Sequence, residues 1–220
     1  MKDSGVQWLG QVPEGWSVRR LKQLSSSPFL YGANEAADAA NLEHPRFIRI
    51  TDIETDGTLR DETFRSLPPD VAAPYMLKDG DVLFARSGAT VGKTFIYKTS
   101  WGPACFAGYL IKFSASNNIL LPTFLKYFTE TEQYWGWLNS IFIKSTIQNV
   151  SAEKYAELLV PLPSIEIQKA VSAYLDIQTA KLDALRQKMK QSVEKLSEYR
   201  TSLISAAVTG KIDVRGEVPD

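Results

Sequence analysis

The chain has 220 residues, 44% hydrophobic and 23% charged, a composition typical of one large globular domain or one domain plus an appendage. Its 25 basic side chains balance 25 acidic ones, so no net charge draws it towards nucleic acid or an anionic membrane. One cysteine and one histidine exclude an internal disulfide, a zinc site built on several thiolates and an HExxH motif. No apolar run reaches the ~18 residues of a membrane span, and residues 1–10 lack the apolar stretch of a signal peptide, so we expect a cytoplasmic protein.

The first part of the chain, residues 1–160, predicts a mixed α+β domain. Strand-like apolar runs, separated by glycine-containing turns, occupy residues 46–50, 81–85, 94–97 and 108–113. A helix is predicted from Thr123 to about Asn139, because aromatic and leucine side chains recur there at helical spacing. Strands with scattered helices and no regular alternation favour the α+β class.

A domain boundary is predicted between residues 160 and 161. All five Trp and all ten Phe precede it, and Pro161 and Pro163 prevent a continuous helix across it. Residues 161–220 read as one long helix and a short tail. Ser164 is the predicted N-cap, and Gly210 is the predicted residue after the last turn.

The long helix carries a heptad pattern. One set of positions, seven residues apart, holds Leu175, Leu182, Met189, Leu196 and Leu203. The companion set is only partly apolar and holds Val171, Gln178, Leu185, Ser192, Tyr199 and Ala206. At ~1.5 Å per residue the helix would measure about 67 Å, whereas a domain of this size has a radius of gyration of roughly 15 Å. We therefore predict a coiled coil whose dimerisation seam is Val171, Leu175, Leu182, Leu185, Met189, Leu196, Tyr199 and Leu203.

Residues 87–94 partly resemble a Walker A loop, which would bind a nucleotide. That loop needs its first glycine five residues before the second, but Ser87 stands there and Gly88 is one residue too close. A Walker A loop also leads into a helix, whereas Thr94–Tyr97 reads as a strand. The pattern favours a turn between two strands.

Two polar segments carry the candidate binding residues. Between Asp81 and Glu130 the chain has basic residues, Arg86 and Lys93 among them, and no acidic one, which is typical of a phosphate-binding face and equally of a solvated basic surface. The hydroxyls of Ser87 and Thr90 can bond phosphates or base edges.

The second segment spans residues 144–149. The side chains of Gln148 and Asn149 can each bond an adenine edge, and Lys144 can hold a phosphate, although the segment by itself favours a polar loop leading into a final element. We find no nucleophile–base pair, metal cluster or cofactor fingerprint, and so predict no catalytic centre, metal or cofactor.

Four stretches of the chain resemble the specificity subunit of type I restriction–modification systems: Gln7–Trp16, Phe47–Ile53, Gly80–Lys93 and Pro161–Arg215. One departure is Ile167, where the family usually has a glutamate before Gln168. A full specificity subunit carries two target-recognition domains and two helical spacers, whereas this chain has one of each. It resembles a half-length form.

The resemblance implies a non-catalytic domain that binds half of a split double-stranded DNA site. It also implies antiparallel spacer helices and, as partners, methyltransferase subunits together with restriction subunits. We expect two copies to pair as a homodimer, with a recognition domain near each end of the paired helices. The target should then be symmetric and interrupted, with half-sites about 34–36 Å apart or a multiple of that.

The candidate DNA-binding residues divide by expected role. Arg86, Lys93 and Lys144 are expected to position phosphates, and Ser87, Thr90, Gln148 and Asn149 to contact bases. Two alternatives stay open at this point: a coiled-coil scaffold that binds proteins but no DNA, and a P-loop enzyme.

Overall fold

The computed structural model describes residues 1–36, 40–54, 57–88, 90–142 and 148–214. Its strands are β1 Lys2–Asp3, β2 Gln11–Val12, β3 Ser17–Arg20, β4 Leu30–Tyr31, β5 Arg46–Ile48, β6 Val82–Ala85, β7 Thr94–Ile96, β8 Ala104–Phe106, β9 Leu110–Phe113 and β10 Leu159–Leu162. Its α-helices are α1 Pro69–Ala72, α2 Pro122–Phe128, α3 Glu132–Phe142, α4 Ala152–Ala156 and α5 Ile165–Val208. Short 3₁₀ helices occupy Leu21–Leu24, Ile50–Asp52, Ala73–Tyr75 and Thr99–Trp101. The predicted α+β class with one long C-terminal helix is confirmed.

A four-stranded antiparallel sheet, in the order β4-β9-β6-β7, forms the centre of the first part of the chain. Every residue of β6 is buried, because successive side chains enter two different apolar clusters. Val82 and Phe84 pack with α2, α3 and Tyr155, whereas Leu83 and Ala85 pack on the other face with β8. The four predicted strands correspond to β5, β6, β7 and β9.

Two smaller pairings complete the domain. β5 pairs parallel with β8 and places Phe47 beside Cys105, both of them buried. β3 pairs antiparallel with β10, so the N-terminal part of the chain is joined to the strand that precedes α5. Both pairings link segments far apart in the sequence.

The helix predicted from Thr123 to Asn139 is wrong in its continuity, because the structure has two helices there, α2 and α3. The side chain of Thr129 donates a hydrogen bond to the carbonyl of Lys126 at 2.7 Å, and that of Thr131 donates to the carbonyl of Phe128 at 2.7 Å. Such local side-chain bonds compete with the helical ladder. They separate the helices, and α3 then continues to Phe142.

Both predicted ends of the long helix are confirmed by α5. The Ser164 hydroxyl accepts a hydrogen bond from the N–H of Ile167 at 3.4 Å. Gly210 has φ +70°, and the N–H of Lys211 donates to the carbonyl of Ala206 at 2.8 Å, which is the Schellman geometry. None of the described helices combines the length and apolarity of a bilayer-spanning segment.

The chain divides into two compact units, Met1–Ser172 and Ala173–Asp220. The first turns of α5 belong to the first unit because Gln168 is fully buried there. Its amide donates to the carbonyls of Ile119 and Pro163 at 2.8 and 3.0 Å and accepts from the N–H of Leu121 at 2.8 Å. The boundary expected at 160/161 follows composition rather than contacts, and it stays a prediction.

Most of the predicted seam of α5 is exposed. Six of its side chains are 46–66% exposed: Leu182, Leu185, Met189, Leu196, Tyr199 and Leu203. Leu175 is half-buried, and Val171 packs against the core of the first unit. An apolar stripe of this kind on a long helix is what a coiled coil buries.

Candidate nucleic-acid interface

The loop between β6 and β7, residues 86–93, is a tight reversal between antiparallel strands. The N–H of Gly92 donates to the carbonyl of Ala85 at 2.9 Å, and the N–H of Lys93 donates to that of Thr90 at 3.0 Å. Gly92 has φ +88°, a conformation that favours glycine. Strand β7 follows this loop, as the sequence predicts, so the helix that a Walker A loop requires does not come next.

Two buried tyrosines hold the base of this loop. The Tyr134 hydroxyl donates to the carbonyl of Gly92 at 2.6 Å, and the Tyr155 hydroxyl donates to the carbonyl of Ala85 at 2.8 Å. Burial raises the pKa of both phenols, so both stay protonated donors near neutral pH. The loop therefore rests on α3 and α4 through fixed hydrogen bonds.

The 86–93 loop and residues 148–149, which are far apart in the sequence, meet in the structure. Ser87 and Asn149 form an antiparallel bridge, and the N–H of Val150 donates to the carbonyl of Arg86 at 2.8 Å. The Arg86 Nε donates to the Asn149 Oδ1 at 3.3 Å. Lys144 lies outside the described residues.

The Arg86 guanidinium also lies over an aromatic ring. Its Cζ is 4.7 Å from the centroid of Tyr31, whose hydroxyl accepts a hydrogen bond from the N–H of Ala152 at 2.9 Å. We call Tyr31, Arg86 and Asn149 the arginine cluster. Sequence reasoning missed Tyr31, because the pairing of β4 with β9 brings it here and nothing near Tyr31 in the sequence signals that pairing.

The other candidate residues differ in exposure. Lys93 and Gln148 are exposed, whereas Ser87, Thr90 and Asn149 are half-buried. Glu153, at the start of α4, is an acidic neighbour of Arg86. Its pKa is lowered mainly by a hydrogen bond from Ser151, then by a backbone hydrogen bond, and also by the charge of Arg86.

The stretch between Asp81 and Glu130 has no acidic residue of its own, but two of its basic side chains lie next to carboxylates in the structure. The ammonium of Lys112 lies 3.9 Å from the buried carboxylate of Asp81, and that of Lys126 lies 2.8 Å from Glu130. Arg86 and Lys93 have no ion pair within the part of the chain that the structure describes. Lys98 is also exposed and without an ion pair among the described residues, so two of the three unpaired cations of this segment, Arg86 and Lys93, lie on the 86–93 loop.

A cleft of about 400 Å³ adjoins the arginine cluster through Tyr109. The carbonyl of Tyr109 accepts a hydrogen bond from the N–H of Arg86 at 3.0 Å, while its side chain lines the cleft and is 65% exposed. Arg49 also lines the cleft. Its guanidinium donates to the buried Asp52 carboxylate at 2.7 and 3.0 Å, and these hydrogen bonds raise the pKa of Arg49. Sequence reasoning missed Tyr109 as a surface aromatic, because it lies in a run that reads as a buried strand.

Among the described residues no group of three or more His, Cys, Asp or Glu side chains is placed to hold a metal ion.

These features define the class: an α+β domain that carries a long helix with an exposed apolar stripe. The sequence model described as "Type I restriction modification DNA specificity domain" matches residues 13–195, and the chain belongs to that family. The relatives in this family, the specificity subunits of type I restriction enzymes, are non-catalytic DNA-recognition components. The resemblance seen in the sequence is thereby confirmed.

Relatives and solved structures agree with the assignment. The StySPI specificity subunit of Salmonella potsdam is 22% identical over 213 residues, which cover 92% of this chain and 44% of that protein. The MjaVIII specificity subunit of Methanocaldococcus jannaschii is 25% identical over 219 residues, 94% of this chain and 48% of that protein. The chain thus spans about half the length of the curated relatives it matches.

Two solved structures share the fold. A chain of a type I restriction–modification system superposes with a TM-score of 0.71 at 21% identity, covering 90% of this chain and 47% of that chain. The HsdS subunit from Thermoanaerobacter tengcongensis superposes with a TM-score of 0.64 at 19% identity, covering 92% and 47%.

Proposed function

We propose that this chain is a cytoplasmic, non-catalytic sequence-recognition subunit of a type I restriction–modification complex. In this proposal residues 1–160 bind half of a split double-stranded DNA site. Residues 161–220 pair with a second copy and hold methyltransferase subunits, which restriction subunits join. The observation that carries the DNA-binding part is the meeting of the 86–93 loop with residues 148–149 at one surface, where Arg86 and Lys93 have no ion pair among the described residues.

The candidate residues divide by expected role. Lys93 is a flexible point charge on the loop and suits a backbone phosphate, as Lys144 does in the neighbouring segment. Gln148 carries both a donor and an acceptor on an exposed side chain, and it suits a base edge in the major groove. Ser87 and Thr90 supply short hydroxyls, which suit phosphates or base edges.

The pairing part of the proposal is supported by α5. Its 44 residues measure about 66 Å, and its apolar seam is exposed from Leu182 to Leu203. Two identical chains paired antiparallel form a two-fold, self-complementary interface. The DNA target is then symmetric and interrupted, with half-sites about one helical turn (34–36 Å) or a multiple apart.

Two single substitutions test the division of roles. The bound sequence is first selected from a pool of randomised duplexes, and affinities are then measured on that duplex and on a scrambled one. Lys93→Ala should weaken binding to both by the same factor and lower the salt slope by about 1. Gln148→Ala should cost about 1–3 kcal/mol on the selected duplex and little on the scrambled one. Equal losses on both duplexes for both variants would refute the assignment.

The second candidate function is a scaffold that binds proteins through α5 and touches no DNA. The neutral net charge of the chain favours it. Duplex binding over a range of salt concentrations discriminates between the two, because a phosphate-dependent complex weakens steeply from low to moderate salt. A scaffold would show no such complex.

A further inference from the structure

The arginine cluster brings together three parts of the chain: β4, the loop after β6 and the segment before α4. Each member is fixed by a contact outside the cluster. Tyr31 accepts from the N–H of Ala152, the carbonyl of Arg86 accepts from the N–H of Val150, and the backbone of Asn149 bridges to Ser87. The contacts that position the guanidinium are therefore formed within the chain itself, without a ligand.

The side-chain contacts of Arg86 use one edge and one face of its guanidinium. Nε donates to Asn149, and Cζ lies over the Tyr31 ring at cation–π distance. A guanidinium has five N–H donors, so four remain on its two terminal nitrogens. Within the described ranges neither of these nitrogens has a hydrogen-bond acceptor. Their fork has the geometry that pairs with two oxygens of a phosphate.

The same contacts limit what Asn149 can do. A bidentate bond to adenine needs the carboxamide oxygen as acceptor and the nitrogen as donor. The oxygen already accepts from Arg86. Asn149 is also half-buried, whereas its neighbour Gln148 is exposed and able to reach into a groove.

We propose that Tyr31 and Asn149 are positioning residues, which hold Arg86 as a preformed site for one phosphate of the DNA backbone. The proposal rests on the DNA-binding function proposed above, and it removes Asn149 from the base-reading residues. Arg86 suits the backbone rather than the groove because its side chain is half-buried against Tyr31, and backbone phosphates lie on the outside of the duplex. Holding the guanidinium in advance lowers the ordering entropy that binding would otherwise cost.

A double-mutant cycle on the full chain tests this coupling. Wild type, Arg86→Ala, Asn149→Ala and the double variant are titrated with the selected and the scrambled duplex at several salt concentrations. Each single variant should lose about threefold to tenfold in affinity on both duplexes. In the Arg86→Ala background, Asn149→Ala should cause no further loss, and the salt slope of Arg86→Ala should fall by about 1.

Two further variants separate positioning from folding and from base reading. Tyr31→Leu removes the aromatic ring instead of the amide. It should weaken binding to both duplexes when Arg86 is present and have no effect in the Arg86→Ala background. Gln148→Ala, at the adjacent residue, should weaken the selected duplex alone. Thermal unfolding identifies any variant that fails to fold, and Tyr31→Leu then replaces Asn149→Ala in the cycle.

The outcomes distinguish failure of the phosphate site from failure of the proposed DNA-binding function. If the wild type binds no duplex, the DNA-binding function fails, and the phosphate site fails with it. If the wild type binds but Asn149→Ala and Arg86→Ala lose affinity independently, the positioning role alone is overturned. Loss confined to the selected duplex in Arg86→Ala or Asn149→Ala would show base reading and would also overturn the proposal.

Discussion

Arg86 and Lys112 both belong to the acid-free stretch of sequence, yet their surroundings in the structure differ. Lys112 lies against the Asp81 carboxylate because the register of β6 and β9 places Leu83 opposite it. Arg86 contacts the Tyr31 ring and the Asn149 amide, and it has no ion pair among the described residues. The residue types of the binding surface could be predicted from sequence, since charge and side-chain chemistry are local properties. The residues that these side chains contact could not be predicted, because strand pairing and register determine those contacts.

Cys105 offers a residue-scale test of the pairing of β5 with β8. Burial raises the pKa of its thiol to about 11, so less than about 1% is thiolate at pH 8 in the folded chain. An unfolded cysteine, with a pKa near 8.5, is about a quarter thiolate there. We expect no reaction with a thiol reagent at pH 8 in the native protein and complete reaction in denaturant.

The pH dependence has a defined sign. Because folding raises the pKa of the thiol, its stabilising effect is present below about pH 8.5 and is lost as the pH rises towards 11. Reaction of the native chain at the unfolded rate would contradict the buried position of Cys105 between β5 and the segment at Met76.

Elements with local signals could be predicted from sequence, and elements that depend on distant contacts could not. The ends of α5 follow from Ser164 and Gly210, which act within one turn of the helix they terminate. The gap between α2 and α3 was missed because Thr129 and Thr131 interrupt a helical pattern that otherwise continues. The pairing of β3 with β10 has no local signal, because the two strands are about 140 residues apart in the sequence.

The 86–93 loop gives a test at the scale of an element. A Cβ at Gly92 would overlap Cδ2 of Leu138 and lie 3.2 Å from the Trp135 ring, at a φ of +88°. Overpacking and backbone strain together predict that Gly92→Ala lowers the free energy of unfolding by about 2–5 kcal/mol. Urea unfolding, read as a shift of the midpoint, measures the loss.

Gly88→Ala is the matched control on the same loop. Gly88 also has a positive φ, +81°, but a Cβ there would meet no atom within 4 Å among the described residues. It should cost only the backbone strain, about 1–2 kcal/mol. Equal losses for the two variants would mean that α3 does not pack against the loop as the structure has it.

At the scale of the whole molecule, the proposed function depends on what covers α5. A helix of 44 residues with six seam side chains 46–66% exposed leaves apolar surface in water, and pairing with a second copy would remove it. Pairing would also double the DNA contacts of the chain and make its target symmetric.

The most direct test is the molar mass of the full chain by light scattering across a range of concentrations, with two variants. Leu185→Asp introduces a charge into the seam, and Gln191→Asp introduces one on the opposite side of α5. We expect the wild type and Gln191→Asp to approach twice the chain mass of 24.6 kDa as concentration rises. Leu185→Asp should stay at the mass of a single folded chain. A single-chain mass for the wild type at every concentration, or a dimer that survives Leu185→Asp, would contradict the account.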